Sequence, residues 1–187
     1  MGSHFFIKTA RSVWCASVLV AIVLIPTYQP ANAATQANSV SPAGMRIELP
    51  ARIPAQCVKN AAKRYAIPEM AMLAILKQES NGRTGVIGQN SNGSKDYGPA
   101  QFNSRSWGKY MRDKYGISLN ELNHNMCQAL MAQAYAIRYE WNRCIKKGNK
   151  SIWCAIAYYH SPTKKYQDIY VRNVWRKYQK MIAKGKF

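Results

Sequence analysis

Glu79 stands where an apolar side chain is expected. Within residues 68–82, Met72, Ile75 and Leu76 recur at helical spacing, and Glu79 follows them by seven, four and three positions, which puts its carboxyl on the same face. A carboxylate among apolar neighbours has its charged form disfavoured, so its pKa rises toward the range where it donates a proton at neutral pH. That property defines a general acid. Ser80-Asn81-Gly82 follows at once, with Gly82 as the expected helix stop, and a polar stretch then runs to Pro99. A protonated acid at a helix end beside a polar loop describes a cleft for a polar substrate. A glutamate near a helix terminus is more often only a solvated charge, so the rest of the chain has to support the assignment.

The elements that would position Glu79 read as helices. Periodic patterns predict helices over residues 55–65, 68–80, 104–114, 125–147 and 151–159, and Ser118 with Glu121 three positions later forms a capping-box signal for a short turn of helix between them. Pro68 suits a helix start. Tyr166, Tyr170, Val174, Tyr178 and Ile182 recur every four residues with Lys and Arg opposite them, which predicts a docked C-terminal helix. Residues 81–99 carry five glycines among Asn and Asp, which reads as a loop or short hairpin, too long for an idle connector.

The 187 residues, 48% hydrophobic, suit one domain with a real core. Lys8 and Arg11 precede an apolar run over residues 13–25, and small residues surround Ala33, so residues 1–33 read as a cleavable export signal. That run is shorter than the roughly 20 residues a spanning helix needs, so no stable membrane insertion is expected after cleavage. Residues 34–54, rich in Ala, Ser, Asn and Pro, read as a flexible leader, and residues 55–187 as one domain that includes the C-terminal amphipathic helix. Loss of Lys8 and Arg11 with the signal lowers the formal net charge from +19 to +17. Export separates so basic a chain from nucleic acid and makes an anionic wall or membrane surface the expected partner.

Cys15 leaves with the signal, and Cys57, Cys127, Cys144 and Cys154 remain. An even set in an exported chain implies two disulfides with three possible connectivities. Zinc is the competing reading, but there is no Cys-x-x-Cys pair and only His124 and His160 remain, so no metal or cofactor is expected. Cys144 and Cys154 flank a short connection, where a bridge would clamp two adjacent helices.

Three ordered motifs carry a resemblance: Glu79-Ser80, then the stretch Asn90-Ser91-Asn92-Gly93-Ser94-Lys95-Asp96-Tyr97-Gly98-Pro99-Ala100-Gln101-Phe102-Asn103-Ser104, then Ala155-Ile156-Ala157-Tyr158-Tyr159-His160-Ser161. Together they resemble the SLT-type lytic transglycosylases, and most of all their small accessory members from conjugation, type IV and type III secretion systems. The resemblance runs from Cys57 to the C-terminal helix. It implies a mainly α, lysozyme-like α+β fold, a single SLT or goose-type-lysozyme-like domain with a small loop or hairpin lobe. It also implies cleavage of the MurNAc–GlcNAc β-1,4 bond of peptidoglycan to 1,6-anhydro products, in the periplasm or another extracytoplasmic space. Glu79 matches the catalytic glutamate, and Asp96 matches a loop aspartate with two open roles, charge stabilisation at C1 or turn formation. Gln101 and Asn103 match residues that donate hydrogen bonds to sugar. Tyr159 matches a tyrosine whose hydroxyl orients the glutamate, against the bland reading of a core aromatic. His160, in a Tyr-His-Ser turn, either titrates near neutrality or hydrogen-bonds the turn. Relatives with two cysteines imply that Cys57 pairs with Cys127, which leaves Cys144 for Cys154.

The chain also departs from the family pattern. Pro99-Ala100 replaces the usual Leu-Met, which predicts a smaller groove floor, and Asn125-Met126-Cys127 lacks the usual Asp-Pro before its cysteine. Three functions therefore compete: a wall-cleaving transglycosylase serving a conjugation or secretion apparatus, a noncatalytic glycan-binding assembly factor, and a lysozyme-type hydrolase. Retention of Glu79 argues against the second. A single dominant carboxylate favours anhydro chemistry over hydrolysis, which ordinarily uses two.

Overall fold

In the computed structural model, residues 39–40 and 44–187 are described. The expected export signal, 1–33, and residues 34–38 and 41–43 of the expected leader lie outside the described residues. At the centre is α2 (Glu69–Glu79), and every residue from Met70 to Leu76 is buried. A helix apolar all round has no solvent face to keep, so its neighbours must enclose it. They are α1 (Ala55–Tyr65), α5 (Met126–Lys146), α6 (Ile152–His160) and α7 (Lys164–Lys184), and all four pack against it. The predicted face of Met72, Ile75 and Leu76 is thus one part of a fully covered cylinder.

Chemistry at the helix ends follows the residue types. Ser118 and Glu121 form the predicted capping box at the start of α4 (Leu119–His124), with Glu121 N donating to Ser118 Oγ at 3.1 Å and Ser118 N donating to Glu121 Oε2 at 2.8 Å. Where the family has Asp-Pro, Asn125 caps α5 by accepting from Gln128 N at 3.0 Å. The loss of that aspartate therefore leaves the helix start capped. The helix α3 (Trp107–Tyr115) ends at Gly116 in a left-handed conformation.

The glycine-bearing stretch folds as a hairpin lobe. Strands β3 (Ile87–Gln89), β4 (Lys95–Tyr97) and β5 (Phe102–Asn103) form an antiparallel sheet in that order, with Gly88 opposite Asp96 and Asp96 opposite Asn103. Gly98 joins the lobe to the helical body. Its φ is +75°, and a Cβ there would stand 2.1 Å from the Leu122 carbonyl oxygen, so only glycine lets the turn approach α4 this closely.

The last part of the expected leader belongs to the body. Ile47 and Ile53 are fully buried. A two-residue strand β2 (Ile47–Glu48), itself paired with β1 (Ser39–Val40), holds the opposite end of the domain: Glu48 N donates to Gly185 O at 2.8 Å and Phe187 N donates to Glu48 O at 2.9 Å. Residues 47–53 therefore dock, contrary to the leader reading. Ile47 and Leu49 alternate with exposed Glu48, a strand pattern too short to stand out in the sequence, and the backbone partners of Glu48 lie at the far end of the chain.

Both bridges form as the resemblance implied. Cys57 with Cys127 ties α1 to the start of α5, and Cys144 with Cys154 ties the end of α5 to α6. No helix among the described residues is long and apolar enough to cross a membrane.

Candidate active site

Glu79 is the last residue of α2, half-buried, and its carboxyl faces a cleft of about 490 Å³ between the helical body and the hairpin lobe. Burial raises its pKa to about 7, a hydrogen bond from Tyr170 pulls the other way, and the nearby charge of Asp96 adds to the rise. The acid is thus poised to carry a proton near neutral pH.

Ser80 fixes the helix end. Its buried hydroxyl donates to the Pro99 carbonyl at 2.8 Å and accepts from Arg83 N at 3.1 Å, so the Glu-Ser pair combines a chemical group with the strut that sets it against the lobe. Pro99 and Ala100 are themselves buried, and their carbonyls, not their side chains, serve the site. Neither is among the residues that line the cleft.

The hydroxyl that reaches Glu79 comes from Tyr170 on α7, which donates to Glu79 Oε1. Tyr159 was expected in that place. Its hydroxyl instead donates to Ala100 O at 2.8 Å, from a buried position at the cleft wall, so it braces the lobe against α6. Burial, followed by the charge on Glu79, pushes the Tyr170 hydroxyl well above the usual tyrosine range, so it remains a donor. The His160 ring lies flat on the Tyr170 ring at 4.2 Å between centroids. Packing lowers its pKa, opposed by Asp96. His160 therefore holds a ring in place instead of hydrogen-bonding the turn, which Gln167 closes by donating to Ser161 O at 2.9 Å.

Across the cleft, Asp96 sits in the central strand of the lobe and is not the turn former of the alternative reading. Asn90 Nδ2 donates to its Oδ2 at 2.9 Å and Asn103 Nδ2 donates to its Oδ1 at 2.8 Å. Two amides therefore hold the carboxylate at the cleft surface. Gly88 lies opposite it, and a Cβ there would come within 3.0 Å of Gln101 Oε1.

The amides of Gln101 and Asn103 are occupied. Gln101 Nε2 donates to Gly98 O at 2.7 Å and to Val86 O at 3.3 Å. Besides Asp96, Asn103 Nδ2 donates to Ser94 Oγ at 2.8 Å, and its Oδ1 accepts from Arg105 N at 2.9 Å. Both line the cleft, with their amide hydrogens engaged by groups of the lobe.

Tyr170, Asn90, Trp107 and Tyr166 complete the site and were not singled out from the sequence. Trp107 forms part of the cleft wall and packs edge-on against Tyr110 and Tyr139, each at 5.4 Å, while Tyr166 stands 54% exposed at the rim. Tyr170 had a visible signal, its place in the four-residue ladder of the last helix, but that ladder reads as packing. Asn90 was within the matched motif stretch.

The arrangement can deliver a proton from one wall and hold a fixed negative charge on the other, in a cleft rimmed by an indole and a phenol suited to stacking on sugar rings. Residues 56–182 match the family model described as the transglycosylase SLT domain. The protein IpgF of Shigella flexneri is 31% identical over 136 residues, covering 71% of this chain and 85% of that protein. Invasion protein IagB of Salmonella typhimurium is 31% identical over 131 residues, covering 68% and 78%. Lysozyme P of Drosophila melanogaster is 44% identical over a shorter stretch of 54 residues, 26% of this chain and 38% of that protein. With the match spanning the helical body and the lobe alike, and with Glu79 at their junction, the chain belongs to the SLT transglycosylase family.

Proposed function

We propose that the protein is an active peptidoglycan lytic transglycosylase, exported from the cytoplasm, that opens the wall locally for a conjugation or secretion apparatus. The observation that carries this reading is Glu79, a carboxyl with a pKa near 7 and a fixed hydrogen-bond donor, facing a polar cleft. In its protonated form it donates to the glycosidic oxygen as the bond to C1 breaks. As a carboxylate it then takes the proton from the MurNAc 6-hydroxyl, whose oxygen closes on C1 to form the 1,6-anhydro ring. No water is consumed, and Glu79 ends the cycle protonated. Asp96 offers its charge to the positive centre at C1, where a preorganised carboxylate held by two amides loses little energy to reorganisation.

The extracytoplasmic location rests on the export signal read from residues 1–33 and on two disulfides, which persist in oxidising compartments. The apparatus rests on the resemblance to small accessory enzymes of such systems and on the likeness to a protein named for invasion.

Hydrolysis is the second reading. Asp96 supplies a second carboxylate across the cleft, and the matched stretch of an animal lysozyme points the same way. The noncatalytic reading has less support, since neither Pro99 nor Ala100 is among the residues that line the cleft. Mass spectrometry of muropeptides released from purified sacculi separates the three. Anhydro products support the transglycosylase, reducing ends the hydrolase, and no release the binding factor.

A further inference from the structure

Apart from the cleft, a second concavity of about 320 Å³ lies where the end of α2 meets the C-terminal half of α7, lined by Gln78, Asn173, Arg176, Lys177 and Lys180. Each of these side chains can donate hydrogen bonds, and none is a carboxylate. Arg176 Nη1 donates to Asn173 Oδ1 at 3.1 Å, which orients the guanidinium and leaves the Asn173 amide hydrogens to donate. Lys77 precedes Gln78 on α2 and has Arg52, Lys177 and Lys184 as charged neighbours. Burial and then repulsion from Arg52, Lys177 and Lys184 hold the Lys77 ammonium below its usual range. The ion pairs of the described residues are Lys109 and Arg112 with Asp113, Arg143 with Glu140, Lys164 with Asp168 and Lys186 with Glu48, and none of them uses a cation from this group. The three cations that line this concavity, Arg176, Lys177 and Lys180, thus have no ion-pair partner among the described residues, and every other side chain lining it can donate.

We infer that this concavity is a binding site for a phosphate mono- or diester group, distinct from the glycan cleft. Phosphate presents several oxygens at once, so it can take the Arg176 fork together with the point charges of Lys177 and Lys180 and the two amides, whereas a single planar carboxylate leaves most of those donors unused. Free phosphate and a phospholipid headgroup share this chemistry. The site is formed by α7 and by Gln78, next to Glu79 at the end of α2, and shares no lining residue with the glycan cleft.

The test is binding at about 0.15 M ionic strength, where diffuse attraction beyond about 8 Å is screened. Inorganic phosphate is titrated by calorimetry, and vesicles of phosphatidylglycerol with phosphatidylcholine, or phosphatidylcholine alone, are used in sedimentation. The wild-type chain is compared with Arg176→Gln/Lys180→Gln and with a charge-matched control, Lys146→Gln/Lys150→Gln. The site variant is expected to bind about 30-fold more weakly in the arm that binds, at about 5-fold per cation near an anionic surface, while the control changes little. Saturation by inorganic phosphate identifies free phosphate as the ligand, and capture only by phosphatidylglycerol vesicles identifies the headgroup. Binding in neither arm, or equal losses in both double variants, overturns the inference. So does equal binding to purified sacculi, whose acids are mainly carboxylates, with the same dependence on these two residues. Lys180→Gln alone serves as a milder variant should the double one fold poorly. Cleavage of a short soluble glycan is expected to be unchanged in all of them, so failure here leaves the proposed chemistry of Glu79 standing.

Discussion

The hydroxyl of Tyr170 donates to Glu79 Oε1 across 91 residues of sequence. This contact and the charge of Asp96 act on the same carboxyl in opposite senses: the hydrogen bond stabilises the carboxylate, while Asp96 and burial stabilise the acid. The pKa near 7 is the balance of the three, so each can be removed separately and the direction of the shift read out.

Glu79→Gln keeps the shape of the side chain and removes the transferable proton. Sacculus clearing is expected to fall by about 10²–10⁴-fold, the usual worth of general acid catalysis, while sacculus binding persists. Turbidity assays and pull-down measure the two. Clearing at the wild-type rate by the folded variant would remove Glu79 from the mechanism.

The same substitution has a signature in stability. In the folded chain the Glu79 pKa is raised from 4.5 to about 7, so between these values the folded state binds more protons than the unfolded one. Stability therefore declines as pH rises through that window, by up to about 3 kcal/mol at pH above 7. Urea unfolding at pH 4.5 and pH 8 is expected to show this decline in the wild-type chain and a smaller one in Glu79→Gln.

Tyr170→Phe removes the bond that favours the carboxylate, and Asp96→Asn removes the charge that disfavours it. Since the acid must enter the reaction protonated, activity falls as pH rises through the Glu79 pKa. The alkaline limb of kcat/KM should move to higher pH in Tyr170→Phe and to lower pH in Asp96→Asn. A role of Asp96 at C1 predicts an additional loss of about 10–10³-fold in turnover, as for one electrostatic contact to developing charge. Shifts of both limbs in the same direction would contradict the arrangement.

Gly98→Ala tests the junction of lobe and body. A Cβ would meet backbone atoms of Leu122 and Asn123 at 2.1 and 2.7 Å, on a residue with φ of +75°. Neither obstacle is a flexible side chain, so a loss above about 4 kcal/mol is expected. Thermal unfolding and hydrogen exchange in the lobe measure it, and a melting temperature close to wild type would show that the turn can move.

The two bridges differ in loop length, with a sequence separation of 70 for Cys57 and Cys127 and 10 for Cys144 and Cys154. On the chain-entropy account they stabilise the fold by about 4 and about 3 kcal/mol respectively. Denaturant unfolding of Cys57→Ala/Cys127→Ala and Cys144→Ala/Cys154→Ala is expected to rank them in that order.

Local order is what the amino-acid sequence determined by itself. The spacing of Met72, Ile75 and Leu76 placed a helix under Glu79, Ser118 with Glu121 marked a helix start, and the glycines of residues 81–99 marked a lobe, because caps, periods and turns depend on neighbours a few residues apart. The order of the motifs carried the family and, with it, the cysteine pairing. Tertiary structure alone decided which polar groups meet. Tyr159 and Tyr170 both sit on apolar helix faces, and nothing in either local pattern says that one hydroxyl finds Ala100 and the other Glu79. The partners of the Asn103 amide, Ser94 and Asp96, were set by the pairing of strands in the sheet. Residues 47–53 looked unstructured because the groups that hold them are distant in sequence: Gly185 and Phe187 pair with Glu48, and Asn81 and Gly82 accept from Arg52. Hydrogen bonds are short-ranged in space and indifferent to sequence distance, so which distant groups satisfy one another is settled only when the helices pack.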